Sequence, residues 1–108
     1  MPERNVLVAF DEDKCTVLHP NGTLESVRWE DLLTVEVHTN DSGPWGTDVW
    51  WVLTGTSSQC RYPGGATGEQ TLLTRLQTLE GFDNQALIDA MLCTDNAEFL
   101  CWSRADAR

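Results

Sequence analysis

The chain has 108 residues, of which 17 are acidic and 7 basic, for a formal net charge of −10. A field of that sign repels phosphate backbones and anionic membrane surfaces, which argues against nucleic-acid and lipid-surface binding and favours a basic protein partner. The hydrophobic share of 41% and the five tryptophans exclude a disordered chain, and the length predicts one domain, 1–108, with a core of its own.

Val6 to Phe10 reads as a first strand, followed by the acidic turn Asp11-Glu12-Asp13. Cys15 to His19 reads as a second, with Cys15, Val17 and His19 alternating against Thr16 and Leu18. Pro20-Asn21-Gly22-Thr23 is a turn, since Asn-Gly favours positive φ. Leu24 to Trp29 follows, with Val27 and Trp29 on one face and Ser26 and Arg28 on the other. After a bend at Glu30 to Leu33, Thr34 to Thr39 sets Val35 and Val37 inward and Glu36 and His38 outward, as in a half-solvated antiparallel strand.

Asn40 to Thr47 is loop by composition, and it carries Trp45 between Pro44 and Gly46. Core packing does not require a tryptophan there, so Trp45 with Pro44, rimmed by Asp41 and Asp48, is the candidate partner-binding site. Asp48 to Thr54 is apolar on both faces and belongs near the centre of a sheet. Gln59 to Tyr62 is a short strand that Pro63-Gly64-Gly65 ends.

Thr67 and Gln70 fit a capping box, and Leu72, Leu73, Leu76 and Leu79 form a helical stripe that Gly81 stops. Asp83 or Asn84 caps a second helix whose inner face is expected to be Leu87, Ile88, Met91 and Leu92. Glu98 to Arg104 reads as a last strand and 105–108 as a frayed tail. Strands first and helices later predict an α+β fold: an antiparallel sheet of five to seven strands, strongly bent, packed by one or two C-terminal helices.

Candidates for chemistry are few. Cys15, Cys60, Cys93 and Cys101 are dispersed, without a C-x-x-C pair or a metal-ligand spacing to His19 or His38. The expectation is therefore no metal, no cofactor and no catalytic residue. Pro63 to Gly68 lies before a helix, but Glu69-Gln70 stands where a phosphate-binding loop requires Gly-Lys-Ser/Thr. No secretory signal or membrane span is legible, so a cytoplasmic location with reduced thiols is expected.

Val27-Arg28-Trp29-Glu30-Asp31-Leu32-Leu33-Thr34-Val35-Glu36-Val37 followed by Asp48-Val49-Trp50-Trp51-Val52-Leu53 resembles small bacterial domains of unassigned function. Gly81-Phe82-Asp83-Asn84 and Phe99-Leu100-Cys101-Trp102 are similar to the same group. The Trp29 to Val37 portion also resembles bacterial pleckstrin-homology-like domains, which implies a bent sheet closed by a helix. Lipid-binding members carry basic residues in the first hairpin turn. Here that turn is Asp11-Glu12-Asp13-Lys14, so the resemblance implies architecture alone.

The leading expectation is a non-enzymatic protein-interaction module, in a specific version an immunity-like inhibitor of a basic effector. A second is a small enzyme or ligand-binding protein. Its pocket would lie between sheet and helices, lined by Trp29, Trp50, Tyr62 and Trp102 with His38 or Cys60. The third is a structural subunit that homodimerises through a sheet edge, the chain being otherwise a monomer.

Overall fold

The computed structural model describes residues 6–43, 46–93 and 95–104, with backbone only at 41–43 and 46–48. Seven strands and two helices follow one another as β1 (Leu7–Phe10), β2 (Lys14–Leu18), β3 (Leu24–Arg28), β4 (Leu32–Gly43), β5 (Gly46–Gly55), β6 (Gln59–Pro63), α1 (Glu69–Leu76), α2 (Asn84–Leu92) and β7 (Ala97–Ser103). The α+β reading is correct, but the strands form two antiparallel sheets, β1-β2-β3 and β6-β5-β4-β7, where one had been expected. The division falls at Trp29–Asp31, a single 3-10 turn that lifts the chain out of the first sheet.

The core lies between the two sheets and under the helices. Val8, Cys15, Val17 and Val27 enter it from the first sheet, and Val35, Val37, Trp51, Leu53, Cys60, Tyr62 and Cys101 from the second. Leu72 and Leu76 of α1 and Leu87 and Ala90 of α2 close it. Fully burying one such leucine is worth about 1.5–3 kcal/mol, so these positions carry the fold. Trp51 stacks on Tyr62 with ring centroids 6.2 Å apart. β5 is interior to its sheet: Trp51 is buried in the core and Val52 is buried on the opposite face.

Three local expectations need correction. Asn40 to Thr47 is not all loop: β4 runs to Gly43 and β5 resumes at Gly46, with Asn40 paired to Asp48 and Gly43 to Gly46. Pairing with a facing strand outweighs turn-rich composition there. Thr67 does not cap α1. Gly68 occupies that position at φ 91°, where a Cβ would collide with the Val8 carbonyl oxygen. Thr67 instead bonds the edge of β1, accepting from Val8 N at 2.9 Å and donating to Val6 O at 3.0 Å. The helix ends at Leu76, and Leu79 lies in the following turn.

The third correction matters most for function. Asp83 does cap α2, accepting from Ala86 N at 3.0 Å. The face it buries, however, is Leu87 with Ala90, and Ile88, Met91 and Leu92 point outward. Alanines at 86 and 90 let the helix approach β7 closely. The larger side chains are left on the far flank.

Candidate interaction surface

Pro44 and Trp45 lie outside the described residues, as do the side chains of Asp41 and Asp48. The described strands nearest them are paired through Asn40–Asp48 and Gly43–Gly46. The base of the β4–β5 hairpin meets the turn that follows α2. Buried Thr39 donates from Oγ1 to Asp95 O at 2.6 Å, and Cys93 Sγ lies 3.4 Å from the same carbonyl. Thus the hairpin, the α2–β7 turn and the C-terminal end of α2 share one end of the molecule.

An open groove of about 610 Å³ runs across the outer face of the second sheet toward that end. His38, Trp50, Arg61 and Glu98 are among the residues lining it. Trp50 is half-buried, with the Arg61 guanidinium 5.7 Å from its ring. His38 Nε2 is 2.9 Å from Glu36 Oε1 on the same strand. This is a polar, solvent-open surface built on rigid strands.

The arrangement does not assemble a catalytic site from the sequence candidates. Cys60 lies in the core, on the face of the sheet opposite His38. The hydrogen bond that the Cys60 thiol donates to the buried Cys15 sulfur, and then burial, keep Cys60 protonated and push it far above its ordinary range, the reverse of an activated nucleophile. Burial, with the charges of Asp83 and Glu36, raises Cys101 to about 11. His19 Nε2 lies 2.9 Å from Glu25 Oε1, a carboxylate that also accepts from Arg61 N at 3.0 Å. That contact ties β3 to the edge of β6. The turn before α1 is occupied by the chain's own carboxylate: Glu69 accepts from Gly65 N at 2.8 Å and from Trp51 Nε1 at 3.0 Å. An incoming phosphate would meet that negative charge.

The four aromatics assigned to a pocket do not share one. Tyr62 and Trp102 are packed in the core and Trp50 faces the outer groove. Trp29 sits edge-on to Phe10 beneath the Arg75 guanidinium, 4.3 Å away. Among the described residues no group of three His, Cys, Asp or Glu side chains is placed to hold a metal. Nor is any of their helices long and apolar enough to cross a membrane. No protein-family model, curated protein or solved structure matches the chain.

What the sequence reading missed is the stripe on α2. Ile88, Met91 and Leu92 are exposed to 51%, 49% and 76%, and their i, i+3, i+4 spacing puts them side by side. Between Arg75 and Arg104 the chain carries Glu80, Asp83, Asp89, Asp95 and Glu98, all exposed, and no Lys or Arg. Among the described residues, four arginines have other partners. Arg61, Arg75 and Arg104 each lie over a tryptophan ring, and Arg28 pairs with Glu30 at 2.8 Å. The result is an apolar strip with Asp89 on its own helix and Asp95 in the turn that follows. Its signal in the sequence was a helix apolar on two flanks, only one of which a small domain can bury.

Proposed function

We propose that the chain is a non-enzymatic interaction module that binds a basic protein through the outward stripe of α2. The observation that carries this reading is the exposed set Ile88, Met91 and Leu92 in a segment with five carboxylates and no cation. Such a surface matches the usual division of labour at interfaces. Desolvated apolar anchors supply affinity at the centre, and charges at the rim steer the partner and select it. A net charge of −10 extends that steering beyond contact distance.

In this reading the partner's Lys and Arg side chains lie against Asp89 and Asp95. Asp41, Pro44, Trp45 and Asp48 are taken as part of the same contact, since Thr39, shortly before them in sequence, bonds Asp95 O in the turn after α2. An immunity-like inhibitor of a basic effector in a bacterial cytoplasm is the specific version. The same reading takes the two sheets as halves of one strongly bent, pleckstrin-homology-like arrangement, with the Glu25–Arg61 contact as its seam. A second reading, capture of a small polar ligand, is favoured by the outer groove with its half-buried Trp50.

The test is affinity capture from native lysate with wild type, Ile88→Lys/Leu92→Lys, Trp45→Ala and Trp50→Ala, each checked for an unchanged melting temperature. A basic protein retained by wild type and lost by the α2 double variant is the expected result. Loss with Trp45→Ala as well extends the contact to the hairpin. A partner that survives the α2 variant removes the stripe from the site, and an acidic partner sinks the electrostatic argument.

A further inference from the structure

A second apolar surface lies on the outer face of the first sheet, and its surroundings differ from those on α2. The register pairs Leu7 with Leu18 and Leu18 with Leu24, so three leucines form one row across β1, β2 and β3. They are exposed to 45%, 39% and 64%. The next outward row is Ala9, Thr16 and Ser26, and the row after that is Lys14 beside Arg28. Glu25, the acidic residue of β3, turns to the other face to meet His19 and Arg61 N, while the two cations have acidic neighbours: Arg28 pairs with Glu30 at 2.8 Å, and the Lys14 charge acts on the Asp11 carboxyl.

We infer that this face is a self-association surface and that its occupant is a second copy of the chain. Two bodies of charge −10 repel each other over most of their surfaces. The leucine face is where that penalty is least, since it presents apolar and hydroxyl groups and a Lys14–Arg28 row whose charges are offset by Asp11 and Glu30. A two-fold axis lying along the leucine row stacks row on row. It also sends the Lys14–Arg28 ends of the two copies in opposite directions, away from each other.

Edge-to-edge pairing is the competing route, and the edges are occupied at several points. Thr67 bonds the edge of β1 through Val8 N and Val6 O. The Glu25 carboxylate takes Arg61 N on β6, and Asp83 N donates to Cys101 O on β7 at 2.7 Å. A face is therefore the better route for a copy of this chain. Strands of four and five residues make the face small, so the dimer is weak and visible only at high concentration.

Sedimentation equilibrium up to about 0.5 mM, with wild type, Leu18→Lys, Leu24→Lys and Ile88→Lys, tests the inference. Wild type is expected to show a reversible monomer–dimer equilibrium. Each leucine substitution weakens it by at least about tenfold, because a two-fold interface loses two buried leucines at once. Ile88→Lys leaves it unchanged. Leu24 is the more exposed site, so Leu24→Lys remains informative if Leu18→Lys disturbs folding. A wild type that stays monomeric throughout, or a dimer indifferent to both leucine variants, overturns the inference. Loss of association in Ile88→Lys as well overturns the two-fold arrangement, since it would place the leucine row against α2 of the next copy.

Discussion

The leucine row of the first sheet and the outward stripe of α2 expose similar side chains to a similar degree, yet their electrostatic settings differ. Beside Leu7, Leu18 and Leu24 stand small and hydroxylated residues, then Lys14 and Arg28 with their acidic neighbours Asp11 and Glu30; Ile88, Met91 and Leu92 belong to a stretch of sequence whose charged residues are all carboxylates. Apolar area alone does not distinguish the two, and it is a poor guide to affinity. The surrounding charge separates them: one face tolerates another copy of an acidic chain, and the other attracts a basic stranger. A small domain can thus hold two contacts apart without a second pocket or a ligand.

Four substitutions or conditions sharpen that contrast. The largest effect belongs to neither face. Leu76→Ala, in the core, should cost about 2–5 kcal/mol by denaturant unfolding, whereas Leu24→Ala should stay within about 0.5 kcal/mol. A large loss at Leu24 would mean that the leucine row is structural and not available for docking. Next, Ile88→Lys/Leu92→Lys should weaken a basic partner by about a hundredfold in calorimetric titration, with self-association unaffected. Equal losses at both surfaces would merge them into one site.

Salt should divide the faces more gently. Raising ionic strength from about 0.05 to 0.5 M shortens the screening length several-fold. Binding at α2 should therefore weaken, while dimerisation through the leucine row should hold or strengthen as repulsion between the two acidic bodies is screened. Parallel weakening of both contradicts the electrostatic distinction.

The smallest effect is expected at the β1–β2 turn, which presents Lys14 to the leucine face. Asp11 Oδ1 accepts from Asp13 N at 2.8 Å and Lys14 N at 3.0 Å, and those bonds, with the Lys14 charge, hold its carboxyl below the usual 3.8. A depressed folded-state value means the contribution is fully present above the unfolded value and is lost as pH falls through the folded one. Thermal melts should show a slight loss for Asp11→Asn near neutrality that vanishes in strong acid. A difference that grows in acid reverses the sign and refutes the assignment.

Much of the fold is legible from alternation alone. Val35 and Val37 inward against Glu36 and His38 outward, the two-sided burial of Trp51 and Val52, and the Asp83 cap all follow from residue pattern. The two-sheet division was not legible, because it depends on a 3-10 turn at Trp29–Asp31 that reads as an ordinary bend. The leucine row was half legible: alternation puts Leu18 beside Thr16. Only the register brings Leu7 and Leu24 into line with it. The α2 stripe was misread for a physical reason. With Ala86, Leu87, Ile88, Ala90, Met91 and Leu92 all apolar, the sequence offers two faces for burial. The choice fell to the small residues that let the helix sit closest to β7.

A single titration separates the two faces most cleanly. Isotope-labelled protein, at a concentration where it is monomeric, is titrated with an amphipathic Lys/Leu helical peptide and, separately, with its Glu/Leu counterpart. Amide shifts read the location. The assignment predicts saturable shifts centred on Ile88, Met91 and Leu92 with the basic peptide only, lost in the Ile88→Lys/Leu92→Lys variant. Shifts centred on Leu7, Leu18 and Leu24, or equal responses to the two peptides, would contradict it.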